Sequence, residues 1–355
     1  MPERDALVAD LLAWFAGNAR DLPWRRDPSP WRVFVAEAMC QQTRIAAVLP
    51  RYAEFLARFP DPAAMAEAGE DAVLALWSGL GYYRRARNLH AAARTMVADH
   101  GGRVPGTPGE IRALPGVGDY TAGAVLSTAF GLPEPLVDGN VERVLSRIFA
   151  VEGNVKRGAA RKAIRDLAAD LVTRGDPAAW NQALMELGAL VCLPRGARCG
   201  DCPVAVHCGA REAGRVDELP ELPAKREPVD VELAIAIIDG PEGVLFLRAP
   251  EGGFLAGTWM PPFARVEAGE TPAEALRRAG AAAGRELGSF RHTITHHRIV
   301  ARVFEASGVP DGADVRWIRE QDRPDYAVSA MAAKALNLQK PQRLLHTESG
   351  QNAHP

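Results

Sequence analysis

The sequence predicts a multidomain chain, an all-α N-terminal region followed by a smaller α+β module, and three observations carry that prediction. From Leu7 to about Ala210 apolar residues recur at helical spacing, with Pro and Gly breaks such as Phe59-Pro60-Asp61-Pro62 and Gly101-Gly102 between segments. From Val216 to Pro228 the chain is charged, rich in Pro and aperiodic, which is the composition of a connector. Beyond it, Val231 to Ile238, Val244 to Arg248 and Ile299 to Glu305 are β-rich, the first two flanking a Pro-Glu-Gly turn that suggests a hairpin, while Pro272 to Glu286 is helical in pattern. The polar tail beyond Lys340 reads as disordered.

Composition narrows the function classes. The 355 residues, 47% hydrophobic, suffice for two or more globular domains. The N-terminus MPERDALVADLL has no apolar run for a signal peptide or membrane span, so a cytoplasmic location is expected. Net charge is -2, and neither half is globally basic: 28 Lys+Arg stand against 27 Asp+Glu through Arg226, and 14 against 17 after it. A nucleic-acid role therefore rests on local patches such as Arg84, Arg85 and Arg87, or Arg143 and Arg147, which read equally well as solvated helix faces. Only five basic residues are Lys, and none precedes Lys156.

In chain order, Glu37 comes first, in a helical stretch from Trp31 to Leu49 where Val33, Phe34, Cys40 and Gln41 share its face. Burial there disfavours the carboxylate and raises its pKa towards the range of a general acid. A structural ion pair with Arg25 or Arg44 is the alternative. Thr107-Pro108-Gly109-Glu110 has the form of a capping box, Pro115-Gly116-Val117-Gly118 breaks the short helix that follows, and Asp119 can cap a second helix that Gly131 ends. Two helices joined by a glycine turn present backbone N–H groups that bind a phosphate, although a plain turn has the same residues. Asp138 opens Asp-Gly-Asn-Val-Glu-Arg, where it reads as an N-cap and, in a polar setting, as a group that stays ionised. Glu37 and Asp138 would then be a proton donor and an anion, the split that glycosidic cleavage requires.

Cys192, Cys199, Cys202 and Cys208 are spaced x6, x2, x5 in a loop that also holds Pro194, Gly196, Gly200 and Pro203. Disulfides are disfavoured in a cytosolic chain, and spacing alone leaves zinc and an iron-sulfur cluster open. Cys40, far upstream, reads as a core residue.

Leu22-Pro23-Trp24-Arg25, Glu37-Ala-Met-Cys-Gln41-Gln42-Thr43, Gly79-Leu-Gly-Tyr82-Tyr83, Leu114-Pro-Gly-Val117-Gly118 and Val137-Asp138-Gly139-Asn140-Val141, with the cysteine spacing, resemble the MutY adenine DNA glycosylases of the helix-hairpin-helix, endonuclease III superfamily. The resemblance implies an all-α helix-hairpin-helix glycosylase with an iron-sulfur loop, plus a C-terminal α+β Nudix-like domain. Catalysis would occupy 1–215, with a six-helix subdomain at about 29–135 and an iron-sulfur subdomain from 1–28 with 136–215. A connector at 216–230, a lesion-recognition domain at 231–340 and a tail at 341–355 would follow. It implies a 4Fe-4S cluster on Cys192, Cys199, Cys202 and Cys208. Glu37 would protonate N7 of the departing adenine, Asp138 would stabilise the cationic sugar or form a transient covalent adduct with it, and Tyr120 and Asn140 would support them. Arg25 and Glu186 match positions that contact adenine, Gln42 and Tyr82 match residues that wedge into the stack, and Gln41, Thr43, Leu114, Gly116, Val117 and Gly118 fall in DNA-contacting motifs. Tyr120 stands where the lyases of this superfamily carry a Schiff-base Lys, so a monofunctional enzyme is implied.

In Phe290-Arg-His292-Thr-Ile294-Thr295-His296-His297, the Ile294-Thr295-His296 triplet matches the loop that reads 8-oxoguanine, where the family usually has Phe-Ser-His. Ordinary strand residues or a metal cluster are the alternatives for His292, His296 and His297. Cys40 departs from the Leu common in the family. Glu274 and Glu286 are the only carboxylates between those two positions, too few for the metal cluster of a hydrolytic Nudix box. The implied partner is duplex DNA with 8-oxoguanine:adenine or guanine:adenine mispairs, acted on by a nucleoid-associated monomer with no membrane contact.

Overall fold

The computed structural model describes residues 3–224, 227–249, 255–310 and 314–348. The chain forms two compact units, Met1–Glu67 with Asn88–Ala224, and Ala68–Arg87 with Lys225–Pro355. No helix among the described residues is long and apolar enough to cross a membrane.

The first unit is helical throughout: α1 Arg4–Asn18, α2 Pro23–Arg26, α3 Pro30–Cys40, α4 Ile45–Arg58 and α5 Pro62–Glu67. The chain returns to this unit within the helix that follows α6 Glu70–Leu76, namely α7 Arg84–Asp99. Then come α8 Pro108–Ala113, α9 Asp119–Phe130, α10 Gly139–Ile148, α11 Gly158–Leu171, α12 Pro177–Leu190 and the short α13 Gly209–Glu212. Pro opens α2, α3, α5, α8 and α12, where its missing N–H costs nothing and its φ suits a first turn. The continuous helix read from Trp31 to Leu49 is two helices, because the chain turns at Gln41 to Arg44 with Gln42 at φ 56. Thr107 caps α8 and Gly131 closes α9 in the left-handed conformation, as expected. The cap of α9, however, is Gly118, and Asp119 sits inside the first turn, ion-paired with Arg165. One core is built from Leu7 and Leu11 of α1, Val144 and Leu145 of α10, Ile164 of α11 and Trp180, Leu184 and Leu187 of α12.

The second unit contains two sheets. The first has the order β5 (Phe263–Arg265), β1 (Val229–Ile237), β7 (His297–Ser307), β6 (Ala282–Ile294), with β1 and β7 parallel and the other neighbours antiparallel. The second has β2 (Asp239–Gly240), β3 (Gly243–Arg248) and β4 (Trp259–Met260), with β8 (Val315–Ile318) also on β3. Strand β1 is buried on both faces: Leu233, Ile235 and Ile237 meet Met331 and Ala335 of α15 (Ala330–Glu348), and Ala234, Ala236 and Ile238 meet Ala275 and Leu276 of α14 (Pro272–Arg278).

Three readings of this module need correction. The strand from Val231 meets the run from Val244 only at its end, where the Ile238 carbonyl accepts from Leu245 N–H at 2.9 Å and Asp239 and Gly240 fold back on β3; β1 and β3 themselves belong to different sheets. The helix expected to reach Glu286 ends at Arg278, Gly280 follows at φ 82, and Ala282 begins the edge strand β6. Helix α15 runs through Glu348 into the segment read as a disordered tail; 349–355 lie outside the described residues. Two boundaries move as well. Residues 68–87, read as part of the helical region, pack with the second unit, where Glu70 bonds Arg248 (2.9 Å) and the Arg87 Nη2 donates to the Ala256 carbonyl (2.8 Å). Of the expected connector, 216–224 belongs to the first unit: Leu219 is buried and its carbonyl accepts from Arg147 Nε at 2.8 Å.

Candidate active site

Helix α3 carries Glu37 into contact with α9, where the Tyr120 hydroxyl donates to its Oε2 at 2.7 Å. The residue keeps some solvent contact, but its carboxyl is enclosed by protein. Burial is the largest influence on it and pushes its pKa up to about 7; the Tyr120 hydrogen bond and Arg25 act in the opposite direction, and the nearby Asp138 charge adds to the rise. Burial and the neighbouring Glu37 hold the Tyr120 phenol well above its ordinary range, so it remains a donor.

Asp138 is the N-cap of α10. Its Oδ1 accepts from the backbone N–H of Asn140 and of Val141, both at 2.8 Å, and its Oδ2 accepts from Asn140 Nδ2 at 2.9 Å. Asp138 is thus the N-cap expected from the sequence, and capping leaves its carboxyl group near Glu37. Asn140 in turn accepts from Arg143 Nη2 (2.8 Å), whose Nε donates to the Cys192 carbonyl (2.8 Å).

Arg25 lies close enough to influence Glu37, but its Nη2 is held by Glu186 Oε2 at 3.0 Å. Glu186 is fully buried and also accepts from the Arg20 backbone N–H, Nε and Nη2, each at 2.8 Å. Burial opposes its ionisation, yet the two arginines overcome that and bring its pKa down to about 2. In the structure Glu186 is a carboxylate whose two oxygens hold Arg20 and Arg25 in place. Arg20 carried no sequence signal, because its partner lies 166 residues away. Cys40 is partly accessible, and its thiol lies near Tyr120, Arg20 and Tyr52, at the site rather than in the core.

Around this centre, Gln41 donates to Thr121 Oγ1 at 3.0 Å and ties α3 to α9, and Thr43 Oγ1 lies 3.4 Å from the Gln41 carbonyl. Gln42 is exposed. In the hairpin, Leu114 is buried; its N–H donates to the Ile111 carbonyl at 3.2 Å and its carbonyl accepts from Val117 N–H at 3.1 Å. Gly116 and Gly118 are exposed and Val117 is half-buried. Gly116 has φ 76, and a Cβ there would stand 2.5 Å from Asn88 Cβ, so both backbone and space require glycine.

The second unit holds Tyr82, 48% exposed at φ 48, with the Arg85 guanidinium 5.7 Å from its ring. Arg85 also donates to the carbonyls of Leu80 and Gly81, both at 3.0 Å. Ile294, Thr295 and His296 form the β6–β7 turn, and Thr295 is at φ 55, an unusual conformation for a β-branched residue. Ile294 packs partly on the core, and the Thr295 hydroxyl lies 3.4 Å from the Nδ1 atoms of His296 and His297. The positive-φ residues other than glycine are Gln42, Tyr82, Ala150 and Thr295 among those described; three of them are expected DNA contacts, where strained backbone tends to collect. Glu274 is used in the capping box of α14 and Glu286 in an ion pair with Arg302.

Of the two expected basic patches, Arg143 with Arg147 is not a surface, and in the other Arg84 is exposed while Arg85 and Arg87 are half-buried. Arg143 and Arg147 are buried, and both knit α10 to the cysteine loop; Arg147 Nη1 lies 3.3 Å from Cys192 Sγ and 2.8 Å from the Leu193 carbonyl. Arg85 and Arg87 are engaged by backbone carbonyls. The four cysteines are free thiols around an apolar cavity of about 20 Å³ that Val144, Leu187 and Val191 also line. Burial pushes the Cys202 thiol up to about 11, with the other three sulfurs adding to the rise. The sulfurs surround the cavity rather than meet at a point: no three ligand-type side chains among the described residues stand close enough for a single ion.

Comparison with known proteins agrees with this geometry. Residues 35–170 match the HhH-GPD superfamily of base excision DNA repair proteins, and 233–338 match the NUDIX domain. Adenine DNA glycosylase of Homo sapiens is 31% identical, covering 96% of this chain and 75% of its own length; that of Mycobacterium tuberculosis is 44% identical over 58% of this chain and 67% of its own. A thermostable thymine-DNA glycosylase structure superposes with a TM-score of 0.55 at 31% identity, over 59% of this chain and 97% of its own. An endonuclease III–DNA complex, at 20% identity and a TM-score of 0.52, shares the fold over 60% of this chain and 99% of its own. The chain belongs to the adenine DNA glycosylase family.

Proposed function

We propose that the protein hydrolyses the N-glycosidic bond of adenine mispaired with 8-oxoguanine or guanine in duplex DNA, leaving an abasic site for base excision repair. The observation that carries this reading is the pairing of an enclosed Glu37, with a pKa near 7, and Asp138, whose carboxyl oxygens accept from three N–H groups. Once the adenine is extruded from the stack, Glu37 delivers its proton to the departing base. Asp138 faces the sugar as positive charge develops on it, and water completes the hydrolysis. Tyr120 orients the Glu37 carboxyl, and Asn140 orients Asp138.

A lyase step needs a lysine amine at the sugar. Tyr120 stands at the position where the lyases have it, and Lys156, the first lysine in the chain, is ion-paired with Glu142 at 2.5 Å. Both features support a monofunctional enzyme. Incubating 8-oxoguanine:adenine and guanine:adenine duplexes with the protein, with and without alkali, tests the reading: strand scission only after alkali is expected. Intact strands after alkali overturn the glycosylase assignment, and scission without it overturns the monofunctional one.

The four thiols fit a 4Fe-4S cluster: they surround an apolar cavity, whereas a single zinc ion requires thiolates converging to about 2.3 Å. Cys192, Cys199, Cys202 and Cys208 would hold it, and the cluster would fix the loop that Arg143 and Arg147 join to α10. The purified protein is expected to carry iron and sulfide at about four atoms of each per chain and to show a broad visible absorption. Stoichiometric zinc without iron would sink this assignment. The Ile294-Thr295-His296 turn is assigned to recognition of 8-oxoguanine. A cytoplasmic, nucleoid-associated monomer is part of the same proposal.

A further inference from the structure

The segment that delivers Asp138 to the site has little regular structure of its own. Leu132 to Val137 runs between the end of α9 and the start of α10, and Pro133 and Pro135 deprive it of two N–H donors. What it lacks is supplied by one side chain of α12. Asn181 Nδ2 donates to the Glu134 carbonyl at 2.9 Å, and Asn181 Oδ1 accepts from the Leu136 N–H at 3.4 Å. The amide thereby meets the segment as a neighbouring strand would, one acceptor and one donor on alternate residues. Its second N–H donates to Ser127 Oγ of α9 at 2.9 Å. Asn181 is 2% exposed, and its polar atoms are satisfied. On the opposite side α9 has glycine at 123, where a Cβ would stand 2.2 Å from the Pro135 carbonyl oxygen.

We propose that Asn181 is a positioning residue for the known chemistry of the family: it sets the register of Leu132–Val137 between α9 and α12, and so the place of the Asp138 carboxylate two residues beyond its last bond. Apolar burial alone does not do this. Leu136 is buried, but dispersion contacts are non-directional and allow the segment to slide, whereas a paired donor and acceptor admit one register. A buried amide in an apolar core is costly unless fully bonded, and here its bonds lead to the segment carrying Asp138.

The inference rests on the glycosylase reading, and the experiment separates the two. Single-turnover adenine release is measured across pH for the full-length protein and for Asn181→Leu, Gly123→Ala and Ser127→Ala, alongside duplex binding and thermal melting. If the wild type releases no adenine, the glycosylase reading itself fails. With an active wild type, Asn181→Leu is expected to lose about 10²-fold in rate, the scale of a misplacement near 1 Å, with duplex binding retained. Because Asp138 helps to raise the Glu37 pKa, moving it away shifts the loss of activity with rising pH from near 7 to a lower value, a change that simple destabilisation does not produce. Gly123→Ala pushes the same segment from its other face and carries the test alone should Asn181→Leu not fold. Ser127→Ala removes the one Asn181 bond that does not reach the segment, and is expected to keep rate and pH profile. An unchanged pH profile in the folded variants, or an equal loss in Ser127→Ala, overturns the proposal.

Discussion

Glu37→Gln is expected to lower single-turnover adenine release by about 10²–10⁴-fold, the usual contribution of a general acid, while duplex binding is retained. The amide keeps the shape and can still meet the Tyr120 hydroxyl, but it has no proton to give. The wild-type rate should fall as pH rises through about 7, where burial has placed the Glu37 titration, and the variant should lose that limb. Stability gives an independent reading with a definite sign. A carboxyl whose folded pKa lies above its unfolded value near 4.5 binds its proton more tightly in the native state, so its contribution is fully present below about pH 4.5 and is lost as pH rises to about 7. The loss is at most about 3 kcal/mol. Glu37→Gln does not titrate, so it should melt above the wild type at pH 8 and approach it at pH 5. A variant that releases adenine at the wild-type rate would reassign the acid.

Asp138→Asn is expected to cost about 10²–10³-fold in the same assay, because the anion facing the cationic sugar is lost at a preorganised site. The fold should largely survive. Asn is as good an N-cap as Asp, and its oxygen can still accept from the Asn140 and Val141 N–H groups; the bond from Asn140 Nδ2 is lost, for about 1 kcal/mol. Since the Asp138 charge helps to raise the Glu37 pKa, the residual activity should decline from a lower pH than in the wild type. Melting and single-turnover kinetics distinguish the outcomes: a large loss of stability with intact specific activity in the folded fraction would make Asp138 a cap and nothing more.

Both predictions use carboxylates that are legible in the sequence, and the reasons are local. Burial on an apolar helix face marks Glu37, and a helix-opening Asp-Gly-Asn marks Asp138. The hairpin is legible for a similar reason, since Thr107, Pro108 and Gly131 act on backbone groups within a few residues. Local pattern misleads where distant partners compete with it. Pro272 to Glu286 reads as one helix, but from Ala282 the ladder with β7 takes over. Val231 to Ile238 reads as half of a hairpin, but its two apolar faces are matched by α14 and α15, and it joins β7 in parallel.

Arginine shows the same division most clearly. In the sequence, Arg143 and Arg147 resemble a phosphate-binding patch; in the fold they are buried and bonded to backbone carbonyls of the cysteine loop and of Leu219. A guanidinium reaches carbonyls that are remote in sequence, so its residue type does not reveal whether it faces DNA or the interior. Glu186 is the converse: it matches a base-contacting position, and in the fold its two oxygens hold Arg20 and Arg25.

The order of the chemistry-bearing residues, the caps at Thr107, Gly131 and Asp138 and the four-cysteine spacing were determined by the sequence alone, because each depends on neighbours a few positions apart. Only the tertiary structure decided that Tyr120 bonds Glu37, that Asp138 stands beside them, and that Asn181 and Glu186 hold the parts in place. The hydrogen bonds that do this join residues from 45 to 166 positions apart in the chain, and their strength comes from burial, which does not exist until the helices have packed.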